Sequence, residues 1–162
     1  MDLNSLMKPT YERLISNGET VELPRELQAI ADGGLVSAGT RIYLASPENK
    51  RAPLLRFDEY EAERWVNKIH LGSDKPPDDP SWRVELLGFG LKLARRLLAH
   101  ADGLTTLPVQ VTVSLQSAEG SADPDIDFAT GALHLYLVRS TRDDAGQVVE
   151  DYAQPLAVLT SR

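Results

Sequence analysis

The sequence predicts an α+β fold: short N-terminal helices and a hairpin, one long central helix over about 80–102, then a C-terminal antiparallel meander packed on it. Three observations carry that reading. Val84, Leu87, Leu91, Ala94, Leu98 and Ala101 keep an unbroken three-four spacing, the period of an amphipathic helix. Beyond Asp102-Gly103 the period drops to two, with Val109, Val111, Val113 and Leu115 alternating with Gln110, Thr112, Ser114 and Gln116, as in a half-buried strand. Turn-forming residues then separate further short apolar runs. At 162 residues and 42 % apolar, a single domain over 1–162 is expected. It would bury roughly 70 % of its unfolded surface. There are no cysteines, which excludes disulfide staples, thiolate metal sites and thiol nucleophiles.

The elements follow in order. Leu3, Leu6, Met7, Tyr11, Leu14 and Ile15 recur at helical spacing up to Gly18. Pro9 lacks a backbone donor, so either the helix begins near it or two short pieces meet there. Glu19–Leu23 alternates and admits a strand. Pro24 opens a second short helix carrying Leu27, Ile30 and Ala31, and Gly33-Gly34 ends it. Arg41–Ala45 and Pro53–Phe57 are expected to pair as a hairpin across the turn chemistry of Ser46–Arg51. Asp58 then caps a helix with Glu59 and Glu61 in its first turn and Lys68 and His70 near its end, matching the helix dipole. Ala62, Trp65, Val66 and Ile69 form its stripe, and Gly72 closes it.

Ser73–Pro80 is linker-like. A loop within one domain is favoured over a domain boundary there, because each half alone would be thinly cored. Asp79 caps the central helix and Pro80 takes its first position. Leu86, Phe89, Leu93 and Leu97 widen the apolar stripe, which predicts contact with two layers. Gly88 and Gly90 each cost about 1 kcal/mol against Ala in a helix, so they should mark a kink or a close approach. Asp125–Phe128 and Leu133–Val138 flank Ala129–Ala132 as a hairpin, and Arg142–Gln147 is the next turn, before Val148-Val149. Pro155 either demotes the last segment to a sheet edge or splits it from Leu156–Leu159.

Charge is unevenly spread. The chain carries 17 Lys+Arg against 24 Asp+Glu, net −7. Eight of the acids (Glu119, Asp123, Asp125, Asp127, Asp143, Asp144, Glu150, Asp151) follow Gly103, against Arg139, Arg142 and Arg162, and no lysine follows Lys92. Such a surface repels nucleic acid and anionic membranes and steers towards cationic partners. Lys92, Arg95 and Arg96 make a small basic edge, too small to argue nucleic-acid binding. The opening Met1–Pro9 lacks a basic stretch followed by an apolar run, so no secretory signal is expected. No run of about 18 apolar residues is present either. A cytoplasmic location follows as the expectation.

Chemistry-bearing motifs are few. Asp123, Asp125 and Asp127 alternate and would suit a hard cation. An EF-hand loop, however, needs Gly and Glu where Phe128 and His134 stand; an outward-facing acidic strand explains the same residues. His70, His100 and His134 lack the short spacing of a zinc site. His134 shares one strand face with Tyr136. Beside carboxylates that pair would suit acid–base work, but a polar contact surface accounts for it more simply. Glu59 and Glu63, one turn apart, are expected on a solvated helix face with Arg56 and Lys68 nearby. Gly88-Phe89-Gly90 lies inside a helix and is no dinucleotide fingerprint. Gly-x-Ser-x-Gly, Walker and His-Glu-x-x-His motifs are all missing.

Val21–Ile30 with its Leu23-Pro24 start, then Gly33-Gly34 and the strand at Arg41–Leu44, resembles the opening of the SUKH superfamily of immunity proteins, over roughly 25 of the 162 residues. That resemblance implies a role in binding and neutralising another protein. Together the observations predict a non-enzymatic, cofactor-free binding module, an inhibitor or immunity-type protein masking a basic toxin or enzyme. The predicted contact residues are Asp123, Asp125, Asp127, His134, Tyr136, Asp143 and Asp144. Two other classes stay open: a small metal-assisted or acid–base hydrolase using Asp123, Asp125, Asp127 and His134, and a secretion-associated chaperone or phage-type assembly component.

Overall fold

The computed structural model describes residues 1–18, 21–45, 63, 66–76, 78–116, 130–139 and 153–161. In chain order these form β1 (Asp2–Leu3), α1 (Lys8–Asn17), α2 (Arg25–Gly33), β2 (Leu35–Ala38), β3 (Arg41–Leu44), β4 (Ile69–Gly72), α3 (Ser81–Ala101), β5 (Val109–Gln116), β6 (Thr130–Leu137) and β7 (Leu156–Thr160). The architecture is α+β, with the long α3 packed on the C-terminal strands.

A five-stranded antiparallel sheet runs in the order β1-β7-β5-β6-β4, beside a two-stranded sheet of β2 and β3. Register sets the inner face. Val109, Val111 and Val113 lie opposite Leu137, Leu135 and Leu133 of β6, and Val111 and Val113 lie opposite Leu159 and Ala157 of β7. All are buried, in one core with Trp82, Leu86, Leu87, Leu91, Leu93 and Leu97 of α3. The two helical glycines explain how α3 serves two layers. A Cβ on Gly90 would lie 2.5 Å from Val113 Cγ1, on the sheet side, and one on Gly88 would lie 2.5 Å from Val21 Cγ2, on the other side. Close approach, the second of the two expected roles, is what both positions provide.

Helix ends follow the capping chemistry. The backbone N–H of Ser81 donates to Asp79 Oδ1 at 2.9 Å. That bond, before any other influence, holds the Asp79 carboxyl below its ordinary range. Pro9 stands in the first turn of α1. The residues ahead of it form β1, which is pinned to β7 by the buried Asn4: its Oδ1 accepts from Leu156 N–H at 3.0 Å and its Nδ2 donates to the Gln154 carbonyl at 2.7 Å.

Several expectations need correction. Ile69–Gly72 is not the end of a helix but a strand paired with β6. Ile69 and Leu71 point into the core while His70 is exposed, an alternation that the helical stripe obscures. β3 pairs with β2 across Gly39, whose φ of 63° makes the turn; the proposed partner Pro53–Phe57 lies outside the described residues. Val21–Leu23 forms no strand. Of the two alternatives at Pro155, the second holds: it stands just before β7 and separates the preceding chain from it, while its carbonyl accepts from Leu115 N–H at 3.1 Å. β7 lies between β1 and β5 and is not an edge. Val148-Val149 lies outside the described residues.

Candidate functional site

The outer face of the sheet carries the two predicted contact residues that the structure describes. His134 lies opposite Thr112 and Tyr136 opposite Gln110, with His70 of β4 on the same face beside Ala132. The structure thus brings His134 and Tyr136 together as expected. It exposes them unequally: His134 is half-buried, whereas Tyr136 is only 5 % exposed. Gln110 and Thr112, expected to face water, are buried as well, and Gln110 Oε1 has no hydrogen-bond partner among the described residues. Asp123, Asp125, Asp127, Asp143 and Asp144 lie outside the described residues. Among the described residues, no three His, Asp or Glu side chains gather to hold a metal.

A second polar centre was not foreseen. Glu63 is fully buried and not, as expected, on a solvated helix face. Its Oε1 accepts from Ile42 N–H at 2.8 Å and from Arg139 Nη2 at 2.7 Å; its Oε2 accepts from Leu137 N–H and Arg139 Nη1, both at 2.9 Å. One turn on, Asn67 Oδ1 accepts from Leu44 N–H at 3.0 Å while Nδ2 donates to the carbonyls of Ile42 (2.8 Å) and Leu135 (3.1 Å). These two side chains stand where a ladder between β3 and β6 would run, and they join the small sheet to the large one. Arg139 completes the clamp by donating from Nη2 to the Thr40 carbonyl at 2.8 Å and from Nη1 to that of Leu137 at 3.3 Å.

This saturation limits the chemistry. A carboxylate has about four acceptor sites, and four donors occupy those of Glu63. General-base work needs a lone pair open to substrate, so Glu63 is a structural anion. Its partner Arg139 forms part of a cleft of about 550 Å³ between the β2–β3 turn and the α3–β5 loop, with Thr40, Arg41, Leu104 and Leu107 among its lining residues. Both leucines are exposed, at 36 % and 40 %. The only sequence signal for the clamp is a Glu and an Asn four residues apart, flanking an apolar stripe.

No known family model, curated protein or solved structure matches this chain. The SUKH resemblance therefore rests on Val21–Leu44 alone. In that stretch α2 does end at Gly33, but β2 intervenes before β3. Among the described residues no helix is long and apolar enough to cross a membrane.

Proposed function

We propose that this protein is a non-enzymatic binding module whose acidic surface masks a basic partner, in the manner of an inhibitor or immunity protein. One observation carries the reading: of the eleven Asp, Glu, Lys and Arg residues after Gly103, eight are acids, in a chain of net charge −7. The segment bearing Asp123, Asp125 and Asp127 joins Gln116 to Thr130, which are register partners at one end of the sheet. Gly72 also pairs with Thr130, and Asp74, Asp78 and Asp79 follow it directly. Arg41 and Arg139 line the cleft at the opposite end, and Asp143 and Asp144 follow Arg139 in the chain. A net charge of −7 favours a cationic surface, speeds encounter and makes binding sensitive to salt.

The test is affinity capture from the native host at about 0.05 M and about 0.3 M salt, a range over which screening of exposed charges rises steeply. A basic protein should be retained at low salt, be weakened at high salt, and be lost by the Asp125→Lys/Asp127→Lys double variant. The melting temperature of that variant should stay near the wild-type value. Undiminished capture by the double variant would overturn the acidic-surface mechanism.

A further inference from the structure

A groove of about 310 Å³ runs between α1 and α3. Tyr11, Leu14 and Ile15 of α1 form one wall, and Leu91, Lys92 and Arg95 of α3 the other. The α1 wall is apolar and openly so: Ile15 is 59 % exposed, the highest value among the large apolar side chains described. Val21, seated against Gly88, also lines the groove. Its carbonyl holds the Lys92 ammonium at 2.8 Å, which fixes one cation at the rim.

The neighbouring cation is different. Arg96 is neutralised by Asp32 at 2.6 Å, and Arg139 in the other cleft spends all four Nη hydrogens on Glu63 and two carbonyls. Arg95 is exposed, and no acid pairs with it among the described residues. In a chain of net charge −7, an apolar groove edged by Lys92 and Arg95 selects for an anion joined to an apolar tail. Its volume is at the small end of the range for ligand sites, which suits a compact amphiphile.

We propose that this groove binds a medium-chain alkyl carboxylate. The headgroup pairs with the Arg95 guanidinium beside the Lys92 ammonium, and the chain lies along Tyr11, Leu14, Ile15 and Leu91. Burying one methylene fully is worth a factor of about four in affinity. A half-open groove should give roughly two- to fourfold per methylene until it is full.

Isothermal titration of the full chain tests this with hexanoate, octanoate and decanoate below their micellar concentrations, and with decyltrimethylammonium as the cationic counterpart. One-to-one binding of decanoate is expected, tightening along the series and at least about tenfold stronger than that of the ammonium. Arg95→Glu and Ile15→Glu should each weaken decanoate about tenfold or more. Both side chains are exposed, so thermal unfolding should be unchanged. If Arg95→Glu does lower the melting temperature, Arg95→Gln removes the charge more gently and should still weaken binding severalfold. Equal affinity for the two headgroups, no gain with chain length, or undiminished binding by the Arg95 variants would overturn the proposal.

Discussion

Replacing Glu63 by Gln tests the clamp most directly. The change is nearly isosteric but removes the charge and turns one acceptor into a donor. In the wild type that carboxylate accepts two backbone N–H groups and both Nη atoms of Arg139, all within 2.9 Å. In Glu63→Gln at least one of those four donors faces an amide N–H₂. Arg139, whose side chain is 17 % exposed, keeps its charge but loses the carboxylate that both of its Nη atoms contact. Breaking a buried pair from one side costs about 3–5 kcal/mol. A chain of this size has about 8–24 kcal/mol of stability by per-residue scaling, and 5–15 kcal/mol is typical, so the loss would be a large fraction. Urea unfolding followed by circular dichroism measures it, with Arg139→Met and the double variant closing a cycle. The two single losses should exceed the double loss, when summed, by at least about 1 kcal/mol. A Glu63→Gln cost under about 1 kcal/mol would refute the assignment of Glu63 as the joint between the sheets.

Two further outcomes follow from the geometry. Gly90→Ala gains up to about 1 kcal/mol of helix propensity but drives a methyl into the buried Val113 side chain, with Cγ1 at 2.5 Å. Overpacking of that kind costs about 1–3 kcal/mol, so chemical denaturation should show a net loss, and Gly90→Ala/Val113→Ala should not show a clash; a stabilised Gly90→Ala would mean that α3 sits further from the sheet. Asp79→Ala should lower the melting temperature at neutral pH by removing the cap on Ser81 N–H. The folded carboxyl titrates below its ordinary 3.8, so its contribution is present above that pH and is lost as pH falls through the lower, folded value. Melting temperatures of the two proteins should therefore converge in acid, and a gap that persisted there would refute the cap.

What the sequence makes legible is what local periodicity encodes. α3 stands out because its apolar residues repeat over 21 positions, and β5 because eight residues alternate cleanly. The close approaches at Gly88 and Gly90 follow from their cost in a helix. β4 is different. Ile69 fits both a helical stripe begun at Ala62 and a four-residue strand, and only the ladder with β6 decides between them. β2 has no pattern to find, since Val36, Ser37 and Ala38 are all exposed; its pairing with β3 makes it a strand. Glu63 defeats local reasoning altogether. A Glu among charged neighbours belongs in water by every short-range rule, and what draws it inside is an arginine 76 residues away. Tyr136 and Gln110 are buried on a face whose alternation reads as solvated, because periodicity divides a strand into two faces without saying which of them is covered.

The clamp and the proposed acidic surface answer to different physics. α3 begins after Gly72, on the side of the Gln116–Thr130 pair, and ends at the loop leading to Val109. β5 runs eight residues from Val109 to Gln116, about 24 Å at about 3.4 Å per residue. Exposed charges are screened over about 8 Å at physiological ionic strength, so a field at the Gln116 end of β5 does not reach Arg41 or Arg139 through solvent. Glu63 itself contributes little to that field, because Arg139 cancels its charge at contact distance. Stability and recognition are therefore separable here. Buried ionic order fixes the hairpin to the sheet through Glu63 and Arg139, and the recognition we propose rests on other carboxylates.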